Sequence, residues 1–167
     1  MHHAMVSLRP RYIEMFLSGT KTVELRRRRI HLPDRTVLWL YSTLPVGDVV
    51  AAACVAHIHH GTPASVWKDF APRTGLTFLE YRTYTRHASW VTAIELEKVI
   101  PLLRSIPLRE IRQFRSAFQP PQSIVSIRQE DPVLTCLSKT LPHLLRRGDE
   151  NRACRQSTAR PSQYDFR

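Results

Sequence analysis

The residues best suited to chemistry lie in one short stretch, SGTKTVELRRRRIHLPD, which runs from Ser18 to Asp34. Lys21 follows a glycine-containing turn, from which a side chain can reach across a cleft. Glu24 and Arg26 share one face if this segment is a strand, at a separation of about 7 Å. A carboxylate can accept hydrogen bonds from an exocyclic amine, and a guanidinium can contact a phosphate or stack on a base. The three side chains therefore form either a pocket for a nucleobase and a phosphate or a solvated strand face with one salt bridge, worth ~0–1 kcal/mol.

The arginine run continues the same stretch. If the strand extends to Arg29, then Arg26 and Arg28 face the candidate site while Arg27 and Arg29 face the opposite side. The outer pair would either widen the electrostatic footprint for a phosphate backbone or form a solvated strand end. Arg9 precedes the first predicted helix and lies either along the same cleft or on the open surface.

Two further segments offer polar groups that could contact a base. Tyr41 and Ser42 end an apolar strand, where they can present a ring and a hydroxyl at the rim of a barrel. The two prolines of FQPPQS restrict their own backbone and that of their predecessors, so Gln122 and Ser123 can hold fixed contacts to a base edge. The alternative for the second segment is a structural turn before the last strand.

The segment YRTYTRHASW, residues 81–90, interleaves aromatic residues with arginines. This composition is typical of surfaces that stack on bases and bind phosphates. The alternative is that Tyr81, Tyr84 and Trp90 pack between a helix and the sheet.

The histidines of HIHH suggest metal binding, because His57 and His59 share a strand face and such pairs can chelate. No third ligand stands at a supporting spacing. We therefore expect no metal and no cofactor.

The whole chain is strongly basic. Its 167 residues carry 25 Lys and Arg against 14 Asp and Glu, a net charge of +11, and its pI is about 10.4. Such a balance favours RNA, DNA or an acidic membrane as partner, unless the protein is simply basic without a dedicated acidic partner. There is no run of ~18 apolar residues and no strongly amphipathic basic helix, so we expect no membrane association. Three cysteines without CxxC spacing favour a reducing, cytoplasmic location.

Patterns along the chain predict short strands interspersed with helices. The strands are MVSLRP, KTVELRR, TVLWLYS, a segment ending in AHIHH, SWVTAIELEKVI and SIVSIRQ; the helices are RYIEMFLSG, two pieces within residues 61–86, and IPLREIRQF. Thr62 or Ser65 can cap the first of the two pieces, and Thr77 with Glu80 can form a capping box at the second.

Short, mostly antiparallel strands mixed with helices imply an α+β domain around a curved or barrel-like sheet. The compact domain is expected to cover residues 5–130. Residues 131–167 are predicted to be a basic, flexible tail, with a marginal helix in LTCLSKTLPHLLRR.

Three separated motifs resemble the ASCH domain family. The first is Gly-x-Lys-x-x-Glu-x-Arg, then comes YSTLPV over Tyr41–Val46, and PPQS over Pro120–Ser123 closes the domain. Over about residues 5–127 the chain is most similar to the branch described as predicted transcriptional regulators with a PUA-like domain. The resemblance implies a PUA-like small β-barrel with flanking helices. It also implies nucleic-acid binding, with RNA favoured over DNA, a regulatory role, and a nucleotide held in a basic cleft.

The resemblance also raises two activities. One bacterial branch of the family hydrolyses N4-acetylcytidine with a Lys, a Thr and a Glu, and some members cleave RNA. The nucleophilic Thr of that branch corresponds to Glu24 here, and a carboxylate cannot take the part of an activated hydroxyl. We therefore expect a binding module. The alternatives are a protein-interaction scaffold, or a ribonuclease or modified-nucleoside hydrolase that uses the same cleft with Lys21 and Glu24 as catalytic candidates.

Overall fold

The computed structural model describes residues 1–141, which form six strands and five α-helices. The strands are β1 (His3–Leu8), β2 (Val23–Arg26), β3 (Val37–Ser42), β4 (Asp48–Gly61), β5 (Val91–Pro107) and β6 (Val125–Ile127). The helices are α1 (Pro10–Leu17), α2 (Pro63–Phe70), α3 (Phe78–Thr85), α4 (Leu108–Phe114) and α5 (Pro132–Ser138), with a 3₁₀ turn at Ala71–Arg73. The predicted α+β class is confirmed.

Local sequence signals set the helix ends. Proline occupies the first turn of α1, where its missing N–H is not needed, and Gly19 follows this helix with φ of +77°. Thr62 caps α2 by accepting a hydrogen bond from the backbone N–H of Ser65. Thr77 and Glu80 form both hydrogen bonds of a capping box at α3, which confirms that prediction.

The six strands form one sheet in the order β2-β5-β4-β3-β1-β6. Every neighbouring pair is antiparallel except β1 and β3, which are parallel. Three register shifts interrupt the long β4–β5 pairing, and such bulges bend and twist the strands that carry them.

The sheet is open in the part of the chain that the structure describes, so the barrel expected from the sequence is not formed there. The reason lies in the strand order. Because β1 pairs with β3 and takes β6 on its outer side, β6 forms one edge of the sheet. Strand β2 forms the other edge, beyond β5, and the two edges do not pair.

The core consists of three apolar clusters that the strands separate. Alternate residues of β1 point to opposite faces: Val6 joins a cluster with Ile13 and Phe16 of α1, whereas Met5 joins one with residues of α4 and α5. The third cluster packs α2 and α3 against β2 and β5. This third cluster sets the position of α3 relative to β2, and both elements line the cavity described below.

Helix α5 lies just beyond residue 130, the end of the compact domain that was predicted from the sequence. Four of its seven residues, Val133, Leu134, Cys136 and Leu137, are buried in the cluster under α4. The rest of the predicted tail, residues 142–167, lies outside the described residues. None of the described helices is long and apolar enough to cross a membrane.

Candidate functional site

A cavity of about 610 Å³ opens between the end of β1, helix α1, strand β2 and helix α3. Its size suits a small ligand, since such sites usually measure about 300–1,000 Å³. Its lining mixes charged, polar and aromatic side chains: Ser7, Leu8, Arg9, Arg11, Tyr12, Lys21, Glu24, Leu25, Arg26, Leu76, Leu79, Glu80, Thr83 and Tyr84. The cavity thus brings together Lys21, Glu24, Arg26 and Arg9 from the sequence-based set.

Lys21 lies at the inner end of this cavity and is only 3% exposed. Its Nζ donates hydrogen bonds to the backbone oxygens of Val23 and Thr74, each at 2.7 Å, and lies 3.5 Å from Glu24 Oε2. It also lies about 5 Å from the ring centres of Tyr12 and Phe16. Burial lowers the pKa of Lys21, although the carboxylate of Glu24 partly opposes that effect. The ammonium group has three partners for its three protons, so its direct hydrogen-bonding capacity is already used.

Glu24 bridges two cations. Its Oε1 lies 3.0 Å from Arg26 Nη2, while its Oε2 faces Lys21. The side chain of Glu24 is 9% exposed and that of Arg26 is 16% exposed, so the three charges form a largely buried network. The carboxylate therefore holds Arg26 in position, and each of its two oxygens already faces a cation.

Two buried polar atoms near the cavity have no hydrogen-bond partner among the described residues: the hydroxyl of Ser7 and Nε of Arg26. Arg26 Nη2 donates to the backbone oxygen of Ser7 at 3.3 Å, whereas alternation along β1 places the Ser7 side chain with Met5, on the face opposite α1. Buried polar groups are almost always hydrogen-bonded, because an unpaired one costs about 1–3 kcal/mol. Arg26 Nε has almost no accessible surface, so an acceptor in the cavity would reach it after a small shift of the guanidinium, which is 16% exposed as part of its side chain.

The rim of the cavity is held by an exposed ion pair between α1 and α3. Arg11 Nη2 lies 2.7 Å from Glu80 Oε1, and the Arg11 guanidinium covers the ring of Tyr12. Arg9 is exposed at the same rim. Four cationic side chains and two carboxylates line the cavity, which leaves an excess of two positive charges. The cavity should therefore attract anions.

The arginine run does not alternate as the sequence predicts, because β2 ends at Arg26. Arg28 is exposed and is not among the residues that line the cavity. Arg27 lies over the ring of Tyr84 and Arg29 over the ring of Trp90, so these two arginines contact the aromatic residues of the 81–90 segment.

Four other residues of the sequence-based set lie outside this cavity. Tyr41 and Ser42 are only 4% and 2% exposed, and the ring of Tyr41 is part of the cluster under α4 and α5, not at an open rim. Gln122 is exposed and Ser123 is half-buried, in the connection between α4 and β6. None of the four contributes to the cavity wall.

Sequence reasoning missed several residues of the wall, notably Ser7, Arg11 and Tyr12. The only local signal for Ser7 is a single hydroxyl between the apolar residues of β1. The meeting of α1 and α3 depends on contacts between residues about 70 positions apart, such as the Arg11–Glu80 pair, and no short motif encodes it.

The histidines form no metal site in the described part of the chain. His57 and His59 have ring centres 6.3 Å apart, and His59 Nε2 lies 2.7 Å from Glu95 Oε1. Residues 1–141 hold no group of three or more His, Cys, Asp or Glu that could bind a metal ion. A second, more open depression beside His31 and His60 shows no unpaired buried side-chain atom and no excess of Lys or Arg.

Comparisons with known proteins agree with the sequence motifs, although no family model matches the chain. The ASCH domain-containing ribonuclease of Zymomonas mobilis is 36% identical over 129 residues, which cover 77% of this chain and 86% of that protein. The crystal structure of ASCH from Z. mobilis superposes with a TM-score of 0.76 at 32% identity, over 83% of this chain and 96% of that one. Human THYN1 in complex with 5-methylcytosine-containing DNA shares the fold at a TM-score of 0.53 and 13% identity, over 85% of this chain and all of that one. The chain therefore belongs to the ASCH domain family that its three motifs indicate.

Proposed function

We propose that this protein binds RNA and holds one nucleotide in the cavity between α1, β2 and α3. The observation that carries the proposal is the largely buried guanidinium of Arg26, whose Nε has no hydrogen-bond partner among the described residues, in the wall of a cavity with excess positive charge. A phosphate or a base oxygen is the acceptor that Arg26 Nε lacks.

The buried network gives each charged residue a separate part in binding. Arg26 contacts the ligand, because of the three side chains it alone has a donor without a partner among the described residues. Glu24 orients Arg26, and Lys21 balances the charge of Glu24 and ties β2 to the Thr74 loop. This differs from a pocket in which Lys21 and Glu24 touch the nucleotide directly. Arg9 at the rim and the rings of Tyr12 and Tyr84 are suited to the backbone and the base.

RNA is favoured over DNA because the relative that is 36% identical is named a ribonuclease. A regulatory role would follow if the protein binds RNA without cleaving it, and DNA binding remains the alternative that the same test addresses.

The test compares fluorescence anisotropy of a labelled 12-nucleotide RNA with that of the same sequence as DNA. Arg26→Gln should weaken RNA binding by about 10- to 140-fold, since a hydrogen bond to a charged group is worth about 1.5–3 kcal/mol. The slope of log affinity against log salt should fall by about 0.7, the value for one phosphate contact on a single strand. Arg109→Gln, on the exposed face of α4, is the matched control for the change in charge.

Ser7→Ala is a control for a change beside Arg26 that does not reach the cavity. It removes a buried hydroxyl that has no partner in the described residues, so thermal stability should stay equal or rise. RNA affinity should stay unchanged, because alternation along β1 places this side chain on the face of the sheet opposite α1. The proposal is wrong if Arg26→Gln binds RNA as tightly as Ser7→Ala and Arg109→Gln do.

RNA cleavage is a second candidate function, favoured by the name of the same relative and by the buried amine of Lys21. Cleavage requires a base that takes the proton of the 2′-hydroxyl and a cation that stabilises the charge growing on the phosphate. A lowered pKa makes it easier for Lys21 to be neutral, but its Nζ must release one of its three present partners before it can take that proton. Arg26, in the cavity wall, is suited to the second task. We do not propose hydrolysis of N4-acetylcytidine, because Glu24 stands at the nucleophile position and is held by two cations.

The cleavage test incubates the labelled RNA with protein and separates it on a denaturing gel. Fragments that appear with the unaltered protein and with Arg109→Gln, but not with Lys21→Met, would support a ribonuclease. Intact RNA in every lane, with binding still present, would leave a binding protein.

A further inference from the structure

A second surface begins where the cavity ends. The guanidinium carbon of Arg27 lies 5.2 Å from the ring centre of Tyr84, and that of Arg29 lies 4.8 Å from the ring centre of Trp90. Tyr84 also lines the cavity, so this surface is continuous with its rim. These four residues are called the basic–aromatic strip below.

The backbone beneath the strip is anchored, although β2 has already ended. Thr92 Oγ1 donates to the backbone oxygen of Arg28 at 2.7 Å and accepts from the backbone N–H of Ile30 at 3.3 Å. On the other side, the Tyr84 hydroxyl donates to the backbone oxygen of Leu25 at 3.0 Å. The backbone that carries the arginines and the ring of Tyr84 are therefore held in place before any ligand arrives, which lowers the entropic cost of binding.

The positive charge of the strip is not neutralised by the protein. Residues 25–33 and 81–90 contain six arginines and no Asp or Glu. No salt bridge within residues 1–141 involves Arg27, Arg28 or Arg29; the carboxylate nearest in sequence to the 81–90 segment, Glu80, is paired with Arg11. Such a surface is complementary to a chain of phosphates.

The aromatic side of the strip is open to solvent. Trp90 is 42% exposed, whereas Trp39 is fully buried in the core. An exposed indole beside arginines is the arrangement on which single-stranded nucleic acids stack, because every base offers a flat face and every linkage a phosphate. A duplex would not use it, since its bases are already stacked on each other.

We propose that the basic–aromatic strip binds the single-stranded stretch of RNA that continues from the nucleotide in the cavity. One base stacks on Trp90, and Arg27 and Arg29 contact the phosphates on either side. The inference rests on the proposed function and specifies its ligand class: a single-stranded polynucleotide, neither a free nucleotide nor a duplex.

The experiment titrates the protein with AMP, with oligoadenylates of two, four and eight nucleotides, and with an eight-base-pair RNA duplex, and follows tryptophan emission and affinity. The tetramer and octamer should quench Trp90 emission, and AMP and the duplex should not. Trp90→Leu should weaken octamer binding by about 5- to 140-fold, the effect of losing one base–aromatic stack, and leave AMP binding unchanged. Trp90→Phe should keep octamer affinity close to that of the unaltered protein but lose the emission signal, because a phenyl ring can still stack.

Arg29→Gln, with Arg109→Gln as its control, should weaken the octamer and not AMP. Thermal melting of each variant guards against misfolding. If the octamer binds no tighter than AMP, or if Trp90→Leu leaves octamer affinity unchanged while Arg26→Gln abolishes it, the strip is not part of the site and only the cavity stands. If an acidic peptide of the same charge competes with the octamer equally well, the strip is a general anion surface and the inference fails. If no RNA binds at all, the proposed function fails and this inference with it.

Discussion

Replacing Glu24 by Gln removes one negative charge from between two buried cations and hardly changes the size of the side chain. Removing one partner of a buried ion pair typically costs about 3–5 kcal/mol, because the remaining charge is left unpaired in a poorly solvating environment. Lys21 keeps its two carbonyl acceptors, and the side chain of Arg26 is 16% exposed, so water offsets part of the loss. We therefore expect Glu24→Gln to lower the free energy of unfolding by about 2–4 kcal/mol.

The assay is urea unfolding followed by circular dichroism, with equal slopes required before midpoints are compared. The matched control is Glu110→Gln, since Glu110 pairs with Arg104, whose side chain is 56% exposed and whose pairing is weakened by water. The double variant Lys21→Met/Glu24→Gln should lose less than the sum of the two single variants, because it removes the buried charge together with its partner. If Glu24→Gln costs no more than Glu110→Gln, the carboxylate does not hold Lys21 and Arg26 together, and the binding mechanism derived from that network is wrong.

Three predictions concern titrating groups. Burial lowers the pKa of Lys21 in the folded state, so between that lowered pKa and 10.5 the unfolded chain binds more protons than the folded chain does. The melting temperature of the unaltered protein, measured relative to that of Lys21→Met, should therefore rise with pH over this range. Hydrogen bonds from Arg11 and from Thr77 lower the pKa of Glu80 to about 2. The stability that Glu80 adds over Glu80→Gln should therefore be complete at pH 7, decrease below the ordinary pKa of 4.5, and disappear as pH falls through 2. A difference in stability between the two proteins that stays constant down to pH 1.5 would contradict the capping network. Burial raises the pKa of Cys54 to about 11, so this half-buried thiol should react with a disulfide reagent at pH 8 much more slowly than a free cysteine does. Rapid labelling of Cys54, located by peptide mapping, would refute the raised pKa.

Much of the local structure could be predicted from the sequence, because the relevant interactions span only a few residues. The capping box of Thr77 and Glu80 is encoded within four positions, and the inward face of β2 follows from the alternation of Val23 and Leu25. The pairing of Glu24 with Arg26 also follows from two-residue spacing on a strand. These signals needed no knowledge of distant contacts.

The open sheet could not be predicted in the same way. Whether β6 joins β1 or meets β2 depends on pairings between residues more than one hundred positions apart, such as His3 with Ile127. The burial of Tyr41 has the same origin, because an aromatic residue at a strand end is exposed or covered according to what packs on that end. Which buried polar atoms lack a hydrogen-bond partner, such as Ser7 Oγ and Arg26 Nε, likewise depends on the assembled fold.

The two walls of the cavity come from separate parts of the chain. One wall is β1, α1 and β2; the other is α3, which lies in the excursion of residues 62–90 between two paired strands. The ends of that excursion, Gly61 and Val91, face each other in the β4–β5 ladder. Residues of α2 and α3 also pack on β2 and β5, so evolution can most easily change the excursion at the side chains of α3 that line the cavity. Such changes would reshape one wall of the cavity and leave the arginine-bearing wall and the register of the sheet as they are.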